Sequence, residues 1–209
     1  MAVRSPGRFY DGRLYAMTID RLLAGLREVI VRRIPVRSRV LDACCGTGAL
    51  AIHLARGGRT VVGIDMSPRH IAFARRAAES FDVEGGSVHF EVGDITHLEV
   101  TPEERYDLAV VVLALHEMEA ATRREAAEAL ARCARRVMFV DFSAPMPRNF
   151  QGMTNRLAEA AAGIRHYRAF QDFTRRGGLP ALVDDADLVV ESLEEIGSGS
   201  LCIITAGQP

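Results

Sequence analysis

The sequence predicts a doubly wound α/β fold, in which a mostly parallel seven-stranded sheet is closed by a C-terminal antiparallel hairpin. Three observations predict it. Strand-like runs recur along the chain, and the first five are nearly continuous apolar segments, as parallel strands covered on both faces should be. Helical patterns separate most of them. The last two runs are joined only by "GSG" at 197–199, which leaves no room for a crossover helix and calls for a hairpin.

In chain order, residues 1–36 form a leading helical segment, and "RVLDA" (39–43) is the first strand. "GALAIHLARG" follows as a helix, then the strand "TVVGID" (60–65) and the helix "SPRHIAFARRAAESF", with Ser67 as its cap and Pro68 in its first turn. "VHFEVGD" (88–94) and "YDLAVVVLAL" (106–115) are the third and fourth strands. The helix "ATRREAAEALARCA" separates the fourth from the fifth, "RVMFVDFS" (136–143). A helical insertion over 147–187 precedes "DLVVESLEEI" and "SLCIITA", the closing pair.

With 209 residues, 48% of them apolar and 25% charged, the chain suits one well-buried domain. A net charge of −1, with basic residues spread along the chain, gives no general field for a nucleic acid. All 26 basic residues are arginine, which excludes a lysine Schiff base, a lysine general base and a phosphate-loop lysine. The four cysteines (44, 45, 133 and 202) show no C-x-x-C and no zinc-type spacing, as in a reduced cytoplasmic chain. The start lacks an apolar signal core, and the longest aliphatic run, "LAVVVLAL", is far short of a membrane span.

The first strand delivers "LDACCGTGAL" to the sheet's carboxyl edge, where open α/β folds bind ligands. Gly46-x-Gly48-x-x-Ala51 fits a relaxed Rossmann-like dinucleotide fingerprint, and Asp65 stands at the end of the second strand, where a carboxylate can take both ribose hydroxyls. Asp42 discriminates among ligands. A carboxylate at the mouth of this loop repels a pyrophosphate and suits a cationic end, such as the amino group and sulfonium of S-adenosylmethionine. Asp94, closing the third strand, can accept from an adenine amino group. Three acids on three successive strand ends therefore match an adenosine joined to a cationic amino acid better than a dinucleotide.

"VLDACCGTGALAIHLA", "VVGIDMSPRHIAFAR", "VHFEVGDI" and "YDLAVVVLALHEM" resemble, in order and spacing, the motifs of class I S-adenosylmethionine-dependent methyltransferases, especially the small-molecule group of ubiquinone and menaquinone biosynthesis. The resemblance implies S-adenosyl-L-methionine as cofactor and a small-molecule methyl acceptor. It places Asp42 at the methionine amino group, Gly46 and Gly48 under the cofactor, Asp65 on the ribose, Met66 against the adenine, and Asp94 with Ile95 at the adenine edge. Gly93 and Val112, at neighbouring strand ends, complete that set, and Tyr10 of the leading segment would cover the cofactor. Met66 and Ile95 serve equally well as core residues. The family's D-x-G-x-G-x-G is broken by Cys44, so that position is expected not to need a glycine-only conformation. On this reading 1–209 is a single methyltransferase domain with an N-terminal helical cap (1–36), a cofactor-binding core (37–146), a helical substrate lid (147–187) and a closing hairpin (188–209).

No metal site is predicted. Cys44 and Cys45 read as small packing residues, and "HEMEA" (116–120) has Ala120 where a zinc-protease helix needs its second histidine. His116 follows the fourth strand, which in this fold faces the acceptor. His166 and Tyr167 lie in a lid segment mixing aromatic and polar side chains, although an ordinary amphipathic helix explains that mixture too. His116, His166 and Tyr167 are thus the candidate catalytic residues, with a histidine taking a proton from a hydroxyl or carbon acceptor. Two alternatives stand beside methyl transfer. One is a non-catalytic S-adenosylmethionine-binding module, in which the region of His116 and His166 would be occluded; the other is an NAD-dependent oxidoreductase, which Asp42, Asp94 and the absence of lysine disfavour.

Overall fold

A computed structural model describes residues 23–80, 85–161 and 163–209. Tyr10 lies outside the described residues. The strands are β1 (Arg39–Ala43), β2 (Thr60–Asp65), β3 (Ser87–Val92), β4 (Tyr106–Val112), β5 (Ala134–Phe142), β6 (Val189–Ile196) and β7 (Leu201–Gly207), in the order β3-β2-β1-β4-β5-β7-β6. The pairs from β3 to β5 are parallel, while β7 runs antiparallel to both β5 and β6. This is the predicted sheet. The chain winds outward from β1 through β2 to β3 and then returns to β4 on the other side of β1, so the strand order reverses between β1 and β4. That reversal opens the crevice in which such sheets hold ligands.

Helices α1 (Ala24–Val31), α2 (Ala49–Arg56) and α3 (Pro68–Glu79) cover one face, packing Ile30, Leu54 and Ile71 against Val61, Phe90 and Val110. On the other face α4 (Ala120–Cys133), α6 (Ile164–Arg175) and α7 (Gly178–Asp185) bury Leu130, Phe173 and Leu179 against Leu41 and Phe139. Burial on both sides explains why β1, β4 and β5 read as apolar runs without alternation. The remaining helix, α5 (Phe150–Ala161), buries only Gly152, where a Cβ would lie 2.0 Å from the Pro147 carbonyl. It lies mostly outside both layers. Among the described residues, no helix is long and apolar enough to cross a membrane.

Local chemistry sets the element ends. The Ser67 hydroxyl accepts the His70 N–H at 3.3 Å and Pro68 opens α3, as the sequence predicts. The buried Arg59 guanidinium donates to the carbonyls of Val31, Ile34 and Pro35, pinning the segment that leaves α1 against the start of β2. The fourth strand is shorter than its apolar run, because Leu113 turns to φ +50° and its N–H bonds the Val140 carbonyl at 2.8 Å. Residues Leu115–Glu117 then make a single 3-10 turn at the carboxyl edge.

Candidate active site

Beyond β1 the backbone turns sharply, with Cys44, Gly46 and Gly48 all in the left-handed region at φ +57°, +54° and +78°. Cys44 therefore departs from expectation: its position does adopt a glycine-favouring conformation, and a cysteine tolerates it. Such a residue costs roughly 1–2 kcal/mol, which the surrounding bonds offset. The Cys45 N–H bonds the Ile64 carbonyl at 3.0 Å, and the Gly46 N–H bonds Asp65 Oδ2 at 2.9 Å. The two glycines have different reasons. A Cβ at Gly48 would lie 2.6 Å from the Phe90 ring, whereas one at Gly46 would meet nothing within 4 Å. Gly48 allows close packing of α2 on the sheet, and Gly46 leaves an open backbone edge.

Asp42 lines that opening together with Cys44, Gly46 and Val112, beneath Leu26 and Ile30 of α1. It is only 3% exposed, and its Oδ2 is buried without a hydrogen-bond partner among the described residues. Burial pushes its pKa up to about 7; the Ala51 N–H opposes this and the nearby Asp65 charge adds to it. An unpartnered buried carboxylate oxygen is costly, of the order of 1–3 kcal/mol. A ligand with a cationic donor would relieve it.

A second polar cluster lies where β4 and β5 end beneath α5 and α6. Asp141, fully buried on β5, accepts the N–H groups of Leu115, His116 and Phe142 at 3.1, 3.2 and 2.8 Å. The same carboxylate contacts His116 Nδ1 at 2.7 Å, which fixes the ring and leaves its Nε2 pointing away. Buried Arg123 braces this turn by donating to the carbonyls of Leu115 (2.9 Å) and Met118 (2.7 Å). His116 Nε2 then meets Glu159 of α5 at 3.4 Å, and Glu159 hydrogen-bonds His166 of α6. Glu117, 41% exposed on its side chain, stands 4.0 Å from His116 and 3.8 Å from His166. Burial opposes charge on His116, but the Asp141 charge and hydrogen bond, joined by Glu159, raise its pKa to about 10. Burial likewise opposes charge on Glu159, yet its bonds to the two histidines hold it down at about 2.

Residues 40–137 match the family described as a methyltransferase domain. The match runs from β1 to the start of β5, just under half of the chain. The resemblance to class I S-adenosylmethionine-dependent methyltransferases seen in the motifs is thereby borne out. An S-adenosyl-L-methionine-dependent Diels-Alderase from Talaromyces variabilis is 31% identical over 111 residues, covering 52% of this chain and 38% of that protein. A ubiquinone biosynthesis O-methyltransferase from Methylocella silvestris is 58% identical over 41 residues, 20% of this chain and 16% of its own. The chain thus spans well under half the length of these curated relatives. Among solved structures, magnesium protoporphyrin IX methyltransferase from Synechocystis PCC 6803 with bound SAH aligns over 100% of this chain and 90% of its own, with TM-score 0.61 and 21% identity. At that identity the likeness concerns the fold.

Within the matched region the structure brings Asp42, Cys44, Gly46 and Val112 to one cavity, and the Gly46–Asp65 bond puts Asp65 beside them. Asp65 Oδ1 also takes the Ser67 N–H at 2.8 Å. Asp94 caps the turn over Ile95–His97 by accepting the Thr96 N–H at 2.9 Å, with Gly93 preceding it. Met66 is 56% exposed, whereas Ile95 is buried in the core between sheet and α4. Cys44 and Cys45 are half-buried, and burial with the neighbouring carboxylates pushes both thiols well up, so neither is a thiolate. His116 and His166 come together, with ring centroids 5.6 Å apart, while Tyr167 stacks on Phe170 at 6.2 Å. The two carboxylate neighbours of His116 favour its imidazolium form, which works against its acting as a neutral general base. Asp141 and Glu159 were missed by sequence reasoning. A charge inside the apolar run "RVMFVDFS" signals Asp141, whereas nothing distinguishes Glu159 in "NRLAEAAAG".

Proposed function

We propose that this protein binds S-adenosylmethionine in the crevice between β1 and β4 and transfers its methyl group to a small-molecule acceptor held under α5 and α6. The unpartnered Oδ2 of Asp42 carries this reading, because it gives the cavity one buried anionic acceptor beside an open glycine backbone. On this reading Asp42 receives the amino group, Gly46 admits the methionine end, Asp65 and Asp94 receive ribose and adenine, Met66 and Gly93 border the adenine, and Val112 walls the cavity. The cofactor supplies an electrophilic methyl on sulfur. The protein's task is then alignment, with reacting atoms about 3–3.5 Å apart. For a hydroxyl acceptor, the partly exposed Glu117 carboxylate is the group placed to take the proton, with His116 and His166 orienting it.

Thermal denaturation with S-adenosylmethionine, S-adenosylhomocysteine and NAD, followed by labelled-methyl transfer to a metabolite extract, tests the proposal. Stabilisation by the first two ligands is expected, and stabilisation by NAD alone contradicts it. A second reading, cofactor binding without methyl transfer, is favoured by one observation: His116 is only 2% exposed, so the region meant to face an acceptor is covered. The Diels-Alderase relative adds weight to it. Tight binding of S-adenosylmethionine with no labelled product would select that reading.

A further inference from the structure

His116, Glu159 and His166 each present one ligand atom, and these atoms lie within 4.8 Å of one another. They come from three separate elements, the turn after β4, α5 and α6. We propose that these three side chains form a binding site for a divalent first-row transition cation of the zinc type, with Glu117 beside its open position. Two imidazoles and a carboxylate are a borderline donor set matched to such ions, whereas magnesium and calcium prefer oxygen alone.

Three features separate this cluster from a chance meeting of polar groups. One of the three spacings already fits: ligand atoms of a tetrahedral ion with bonds of about 2.0–2.1 Å stand roughly 3.3 Å apart, and His116 Nε2 lies 3.4 Å from Glu159. The His166–Glu159 hydrogen bond is shorter than that spacing, so a small separation of α5 from α6 completes the site. The outer support is also present, since Asp141 holds His116 by Nδ1, the carboxylate–histidine arrangement that orients metal-bound imidazole. Finally, the site is sheltered. His116 is buried and His166 and Glu159 are nearly so, while Glu117 opens to solvent on the side where a water or an acceptor oxygen would enter.

The ion would fasten the 147–187 segment to the strand edge, which is the binding claim. Its chemical use rests on the proposed methyl transfer: a cation beside Glu117 would hold an acceptor oxygen and favour its deprotonated form. A metal bond needs the lone pair of the ligating nitrogen, so any proton held there leaves to solvent as the ion binds.

The test uses the full, tag-free chain stripped with EDTA, titrated with Zn2+ by calorimetry and with Co2+ by visible absorption, with no cofactor present. One ion per chain is expected, with proton release and a d–d band. Glu159→Gln and His166→Ala should each weaken binding 100-fold or more, and Asp141→Asn 10- to 100-fold. Replacing Cys44 and Cys45 by serine should leave it unchanged. Absence of stoichiometric binding overturns the proposal, as does binding that survives His166→Ala and Glu159→Gln or is lost with the cysteines. Circular dichroism of each variant separates ligand loss from unfolding. S-adenosylmethionine stabilisation, read on the same samples, fails or succeeds independently of the metal.

Discussion

The two polar regions at the carboxyl edge solve opposite problems. Around Asp42, the strand reversal leaves a buried carboxylate with an oxygen that nothing in the described chain satisfies. Around Asp141, every oxygen is engaged, by three backbone N–H groups and the His116 ring. The first arrangement is unfavourable until a cation arrives. The second stabilises the empty protein and positions side chains. Mutation should therefore act on ligand affinity in the first region and on folding in the second.

The largest effect should follow Asp141→Ala, which strands His116 as a buried charge and frees the turn after β4. Loss of about 3–5 kcal/mol is expected for breaking a buried pair of this kind, read by urea denaturation. A loss below about 1 kcal/mol would erase the distinction between the regions. Asp42→Asn should do the reverse, weakening S-adenosylmethionine binding 10-fold or more, by at least ~1.4 kcal/mol, while leaving the fold intact or firmer. Calorimetry and a melt on one sample check both.

A pH series sharpens the same contrast. Asp42 has its folded pKa raised from 3.8 to about 7, so the folded state keeps its proton longer than the unfolded chain. Its contribution to stability is thus greatest below 3.8 and falls as pH rises towards 7, by about 4 kcal/mol at most. Affinity for a ligand with an ammonium group moves the other way, rising through that window as the carboxylate ionises. Titrations at pH 6 and pH 8 should differ in this sense, and the difference should vanish in Asp42→Asn. The smallest effect belongs to Cys44→Gly. Relief of the φ +57° strain is worth about 1 kcal/mol, offset in part by glycine's unfolded-state entropy, so a slightly higher melting temperature is expected.

The same division marks what the sequence could disclose. Strands β1 and β2 match their apolar runs residue for residue, because burial on both faces writes itself directly into composition. The loop after β1 was legible through Asp42, Gly46 and Gly48, whose spacing follows from the geometry of a strand–helix turn. The left-handed Cys44 was not, since a non-glycine residue in that region conceals the conformation it adopts. Glu159 was equally hidden: it acts from a helix outside both packed layers, and no local pattern records that α5 folds back onto His116. Contacts set by tertiary return of the chain leave little trace in a window of neighbouring residues.

The most direct test of the account is calorimetry of S-adenosylmethionine binding at pH 7 in two buffers of different ionisation enthalpy. The account predicts binding with release of a fraction of a proton, as the cationic end of the ligand ionises Asp42, and loss of that release in Asp42→Asn. Binding of equal strength in the variant, with no proton released by either protein, would contradict it.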